Sequence, residues 1–357
     1  MSLATQEEKD KFLQEASRHL DIDKWGDFLL RWGKALETYS TPVSILEGTG
    51  YDNEFKVNFS GKDWGFVRLI PGSGWNMRRA LMAKQPPFFP AKNIEEYDAK
   101  LVLNDEVQGK CFMCENIAQG IDAKDNPSID NVVFELGKYF ITPGRYPRDP
   151  GHCLWVPVDH DDNSKRVVPQ EGNKLYIPEE GKTRGALITP QELEAIVKFC
   201  QENHFIAARN HVLDGMSVPA HDHWHLHIID LYSYDLAPHV LDQANSWTLT
   251  KGVYIPKNTP FDGLVITQDA SGFSGMACNV INNLEKDNQV FTLLIYKDRI
   301  HISPRKNIHD HRRIQIGAEM QIHSLDDPNP GEAINRIKQY VPMQNEFNWQ
   351  QYLDYSD

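Results

Sequence analysis

The chain has 357 residues, and its 37 basic against 50 acidic side chains give a net charge of −13. That length can bury a substantial core and build two domains or one large one. The acidic excess argues against duplex nucleic acid or an anionic membrane as partner, since both need a clustered positive surface, but not against a small phosphorylated ligand held by a few local groups.

No stretch approaches the roughly 18 apolar residues of a membrane span. Met1 to Lys9 hold no apolar signal-peptide core, so a cytoplasmic protein is expected, with a homodimer left open. Residues 6–38 read as helical, because Trp25, Phe28, Leu29, Trp32 and Leu36 recur at three- and four-residue spacing. Such a stripe is more often core than a ligand box. Residues 54–70 suggest a hairpin, and Gln85-Pro86-Pro87-Phe88-Phe89-Pro90, which suits neither a helix nor a central strand, reads as a connector. A soft boundary near residue 100 closes this N-terminal helical and hairpin extension.

Beyond it come a Cys-x-x-Cys turn at Cys111 and Cys114 and strands expected at Asn131–Phe134 and Tyr139–Thr142. A turn rich in Pro and Gly, from Pro143 to His152, leads into the buried-type strand Cys153–Pro157. Thr189-Pro190-Gln191-Glu192 has the form of a capping box with proline at the first helical position, starting a helix whose Leu193, Ile196, Val197 and Cys200 face the core. Strand Phe205–Asn210, a loop containing Gly215 and a histidine-rich strand follow. This layout is α+β, an antiparallel sheet with helices on one side. The five cysteines, at 111, 114, 153, 200 and 278, are odd in number and mostly isolated, unlike a disulfide framework.

The histidine-rich strand holds His221, His223, His225 and His227 at alternate positions. Side chains alternate faces along a strand, so all four imidazoles share one face, while Trp224, Leu226 and Ile228 on the other pack against a core. One edge of a sheet would then present a row of titratable, nucleophilic or metal-binding groups. A surface strand that merely happens to be histidine-rich is the bland alternative, but interleaving with apolar residues is unlike a tag. Two chemistries suit the row. One imidazole can attack phosphorus and form a phosphoramidate while neighbours neutralise the phosphate, or two or three imidazoles can bind a catalytic metal.

In order, Arg145-Tyr146-Pro147-x-x-Pro150-Gly151-His152, Val156-Pro157-x-x-His160, the capped helix, Asn210, Gly215-x-Ser217-Val218 and the histidines closely resemble the histidine triad superfamily. The similarity is greatest to the large branch containing galactose-1-phosphate uridylyltransferase and the dinucleotide and nucleotide-sugar phosphorylases. It covers about residues 108–230. Val290–Tyr296 and Ile300–Arg305 look like the second, degenerate half of such members. Residues 1–100, the N-terminal extension, are not covered by it; the resemblance implies a catalytic domain over 101–245 and a degenerate half over 246–357.

It also implies roles. The family pattern is His-φ-His-φ-His-φ-φ, where φ is an apolar residue, with the middle histidine as nucleophile and an asparagine eleven residues before the first. Hydrophobicity selects His223-Trp224-His225-Leu226-His227, making His225 the nucleophile. Spacing selects the other register, because Asn210 stands eleven residues before His221 and Ser217 lies close upstream, making His223 the nucleophile. The spacing register is preferred here, for the loop geometry that must bring Asn210 and Ser217 to one phosphate. His223 and His225 take part either way, with Asn210, Ser217, His227 and Arg145 binding substrate. Arg148, His152 and Arg305 are further phosphate or base-edge candidates.

By the same resemblance, Cys111, Cys114, His160 and His221 would hold a structural zinc, as a closed two-cysteine, two-histidine site does. Two small core cysteines are the alternative. The expected activity is nucleotidyl transfer or hydrolysis on a nucleoside diphosphate compound, a nucleotide sugar or dinucleoside polyphosphate, through a covalent nucleotidyl-histidine. A metal-dependent enzyme centred on the histidine row and a non-catalytic nucleotide-binding protein are the competing classes.

Overall fold

A computed structural model describes residues 3–18, 20–37, 54–59, 62–68, 134–136, 139–144, 150–157, 169–170, 174–175, 188–210, 223–231, 246–257, 262–287, 289–305, 314–316, 321–324 and 346–353. Two helices open the chain, α1 (Gln6–Ala16) and α2 (Ile22–Glu37), where the sequence period predicts one. The interruption has local causes. The Ser17 hydroxyl turns back to the Gln14 carbonyl, and Asp21 Oδ1 accepts from the Asp23 amide, so both ends satisfy groups a continuous helix would pair internally. The expected stripe of α2 is buried core throughout.

A hairpin follows, β1 (Glu54–Phe59) with β2 (Lys62–Arg68). Next come β3 (Phe134–Leu136), β4 (Tyr139–Pro143) and β5 (Cys153–Pro157), then a short ribbon of β6 (Pro169–Gln170) and β7 (Lys174–Leu175). Helix α3 (Pro190–Asn203) starts as expected, with the Thr189 hydroxyl accepting from the Glu192 amide at 3.1 Å. It leads into β8 (Phe205–Asn210) and β9 (Trp224–Ile228). Then come β10 (Ser246–Thr250), β11 (Val253–Pro256), β12 (Leu264–Thr267), α4 (Phe273–Lys286), β13 (Phe291–Tyr296) and β14 (Arg299–Pro304). Strands β15 (Ile314–Ile316) and β16 (Gln321–Ser324) and the short helix α5 (Gln350–Leu353) complete the described elements.

Among the described residues, ten strands form one sheet in the order β10-β11-β12-β14-β13-β8-β9-β5-β4-β3, antiparallel throughout. A separate sheet of order β1-β2-β16-β15 joins the early hairpin to the late strands. The large sheet is a duplication. The run β3-β4-β5-α3-β8-β9 is repeated in connection and pairing by β10-β11-β12-α4-β13-β14, each half has a 14-residue helix, and β8 pairs with β13 at the seam.

The two faces of this sheet differ. Phe205, Trp224, Leu226, Ile228 and Trp155 lie on one, packed under helices: Phe205 meets Trp25 and Phe28 of α2 and Phe199 of α3 edge-on or stacked at 5.3–5.6 Å. Each such buried side chain contributes about 1.5–3 kcal/mol of transfer free energy. The fold is thus the expected α+β arrangement, an antiparallel sheet with helices on one side, and the histidines take the opposite face. Across the seam on the helix side, Arg209 of β8 forms a buried ion pair with Glu285 of α4 at 3.5 Å.

Candidate active site

Strand β9 is not at an edge, as the alternation alone suggests; it lies between β8 and β5. The row therefore faces out from the interior of the sheet, flanked by strands that supply neighbours. Trp155 pairs with Trp224, Leu154 with His225 and Cys153 with Leu226, which sets His152 beside His227 at the next rung.

His152 is the organising residue. Its ring lies parallel to that of His227, with centroids 4.6 Å apart and planes 3° from coplanar. Its Nε2 meets Nδ1 of His225 at 2.9 Å, a buried hydrogen bond. His223 stands edge-on to His225 at 5.0 Å. All four imidazoles are buried. Gly144 makes the placement feasible, because a Cβ there would lie 3.0 Å from the His152 ring. From the helix side, the Trp32 indole donates to the His152 carbonyl at 3.0 Å, so α2 fixes the backbone that carries the ring.

Helix α2 is also fastened to the far end of β9. Lys24 Nζ and Trp25 Nε1 both donate to Asp230 Oδ2 at 2.8 Å. Partial burial pushes the Asp230 carboxyl up, but these two hydrogen bonds and the Lys24 charge outweigh it and hold it below the usual range.

Asn210 ends β8 on the histidine face, buried, and its Oδ1 has no hydrogen-bond partner among the described residues. Continuing the β8–β9 ladder from Ala208 opposite His225 places Asn210 opposite His223. Of the expected site residues, the structure thus gathers His223, His225, His227 and Asn210, together with His152, one of the further candidates. Ser217, Arg145, Arg148, Cys111, Cys114, His160 and His221 lie outside the described residues. Among the described residues, no group of three or more His, Cys, Asp or Glu side chains converges as a metal site. Cys200 and Cys278 are buried thiols outside any disulfide; burial pushes Cys200 up, and burial with Glu192 and Glu194 pushes Cys278 to about 12, far from a reactive thiolate.

No protein-family model matches the chain, and no curated protein does. Solved structures of yeast Ap4A phosphorylase Apa2 are similar in part. The complex with Ap4A is 11% identical, covers 93% of each chain and has a TM-score of 0.48. The structure described without ligand is 15% identical, covering 66% of this chain and 84% of that one, with a TM-score of 0.42. The AMP complex is 15% identical over 62% of this chain and 77% of that one, at 0.39.

The second half contributes Arg305, a further candidate from the sequence, and with it Thr292, Ser303 and His301, which the histidine pattern does not announce. Thr292 pairs with Asn210 across the seam and Ser303 pairs with Thr292, so all three share the histidine face. Arg305 donates to Thr292 Oγ1 at 3.0 Å. His301 is buried one rung away, where burial first and the Arg305 charge second lower it to about 3. Alternation of His301, Ser303 and Arg305 was the available sequence signal, but nothing local ties it to Asn210.

Proposed function

We propose that the chain is a nucleotidyl transferase or hydrolase that works through a covalent nucleotidyl-histidine. The observation that carries this is the buried His152–His225 hydrogen bond. An imidazole attacks phosphorus through one nitrogen, and fixing the other selects the tautomer and aims the ring. In the tautomer proposed here, Nδ1–H of His225 donates to Nε2 of His152, which leaves the attacking lone pair on His225 Nε2. This favours His225 as nucleophile, the assignment of the hydrophobic register, over His223 from the spacing register.

In the proposed step, His225 Nε2 forms a bond to the α-phosphorus, and the bond from phosphorus to the leaving phosphate oxygen breaks with its electron pair. The positive charge that develops on His225 strengthens its Nδ1–H bond to His152. Asn210 and His223, on adjacent positions of the same face, steady the phosphoryl oxygens as charge shifts. Water, inorganic phosphate or a sugar phosphate then attacks the same phosphorus and releases His225. Zinc remains part of the proposal as a structural element: Cys111, Cys114, His160 and His221 would supply the donor set of a closed four-coordinate site.

Incubation with α-phosphate-labelled dinucleoside polyphosphates and nucleotide sugars should leave acid-labile, base-stable label on the protein. His225→Gln should abolish it while His223→Gln retains it. Label lost only in His223→Gln would restore the spacing register, and no label on any substrate would overturn the covalent reading.

A further inference from the structure

One rung of the sheet is polar from strand to strand across the seam. His223 before β9, Asn210 on β8, Thr292 on β13 and Ser303 on β14 stand in succession on one face. All are buried, and Arg305, itself only 4% exposed, lays its guanidinium against Thr292 at 3.0 Å. The neighbouring rung differs: between His225 and His301 it carries Ala208 and Leu294. Polar side chains are costly to bury without a partner, and the Oδ1 of Asn210 has none among the described residues.

Arg305 is held in place by its backbone. Its amide donates to the Val290 carbonyl at 2.7 Å, and its carbonyl accepts from Gln289 Nε2 at 2.7 Å. The Gln289 amide also donates to the Val290 carbonyl at 2.9 Å, so one side chain ties both sides of the strand end. A buried guanidinium on the Thr292 hydroxyl, with Ser303 paired opposite Thr292, is an arrangement suited to phosphate oxygens, which the planar fork can engage in pairs. From His223 to Thr292 is two strand spacings, about 10 Å. A chain of linked phosphates covers that span, and a single phosphate does not.

We propose that the second half supplies a phosphate subsite, anchored by Arg305 with Thr292 and Ser303, and that the substrate is a nucleotide compound whose phosphate chain runs from the histidines over Asn210 to this anchor. The inference rests on the covalent-histidine reading only for where the α-phosphate sits. Its consequence is specificity: the active half takes the nucleotidyl group, and the other half counts the phosphates beyond it.

The test uses the full chain and inorganic tripolyphosphate, followed by titration calorimetry. The wild type and His225→Gln should bind it, and Arg305→Gln should bind about tenfold more weakly or worse, the loss of a charged hydrogen-bonding partner. Thr292→Val and Ser303→Ala, milder changes that guard against an unfolded Arg305 variant, should weaken it in the same direction. In turnover, Arg305→Gln should lose more kcat/KM on a dinucleoside tetraphosphate than on a nucleoside phosphoramidate, which has one phosphate. Failure of the wild type to bind tripolyphosphate, equal affinity in folded Arg305→Gln, or equal losses on the two substrates would overturn the subsite. If no nucleotidyl label is ever trapped while Arg305-dependent tripolyphosphate binding holds, the covalent reading fails and the subsite stands.

Discussion

His152→Phe tests the orienting hydrogen bond directly. Phenylalanine keeps a flat ring to stack on His227, at the 4.6 Å now observed, and leaves intact the backbone carbonyl that Trp32 binds. What disappears is the nitrogen 2.9 Å from His225 Nδ1. A hydrogen bond to a charged group is worth about 1.5–3 kcal/mol against about 0.5–1.5 for a neutral one, so the part gained only as His225 becomes positive is about 1–1.5 kcal/mol, a slowing of roughly fivefold to tenfold. The interaction strengthens as His225 becomes positive, so the loss should fall on kcat, with KM little changed. Single-turnover formation of labelled protein reads the step itself. Gly144→Ala, which crowds the same ring without removing its nitrogen, should slow labelling in the same direction. Labelling by folded His152→Phe within twofold of wild type, or a loss confined to KM, would refute the orienting role.

Two further outcomes concern stability. His301 stays neutral in the fold down to about pH 3, whereas in the unfolded chain it gains a proton below about pH 6.5, so acid favours unfolding. The stability it contributes is full above pH 6.5 and is lost as pH falls; by pH 5 the loss is about 2 kcal/mol. Urea unfolding of His301→Gln at pH 7 and pH 5 should show that much less acid sensitivity than wild type, and an identical difference would count against it. Cys114→Ser should lower zinc content and melting temperature together, because metal binding in a closed site is folding free energy; wild-type protein with well under one zinc per chain and an unshifted Cys114→Ser would return the cysteines to the core.

The elements legible in the sequence are those with a start signal or strong periodicity. Thr189-Pro190 marked α3 to the residue, Phe205–Asn210 was bounded by the helix end at His204, and the stripe of α2 named its own buried face. The sequence does not mark β10 or α4 in that way. On β10 the large apolar Trp247 and Leu249 are exposed, at 41% and 38%, so the pattern there inverts the usual rule. Helix α4 begins after Gly272, in the left-handed region at φ 63°, with no side-chain cap to announce it. The interior position of β9 was also hidden, because strand order is set by long-range pairing and leaves no local trace.

On the proposed reading, the duplication gives a structural reason for chemistry to be confined to one half. With the halves related about the seam pair Ala208–Leu294, His225 corresponds to His301 and Leu154 to Val265, so His223 and His227 correspond to Arg299 and Ser303. His152 then corresponds to Gly263, and a Cβ at Gly263 would overlap the His301 imidazole at Nε2. The first half places an orienting imidazole beside its central histidine; the second places bare backbone there and closes in on that histidine's ring. Arg299 is occupied by Asp298 at 2.8 Å and the Tyr254 hydroxyl at 3.3 Å. The same scaffold thus carries a histidine with an orienting partner on one side of the seam and, on the other, a histidine packed against backbone with a guanidinium nearby. A phosphate chain crossing the seam would use both, the first half to react and the second to bind, with Asn210 and Thr292 at the join.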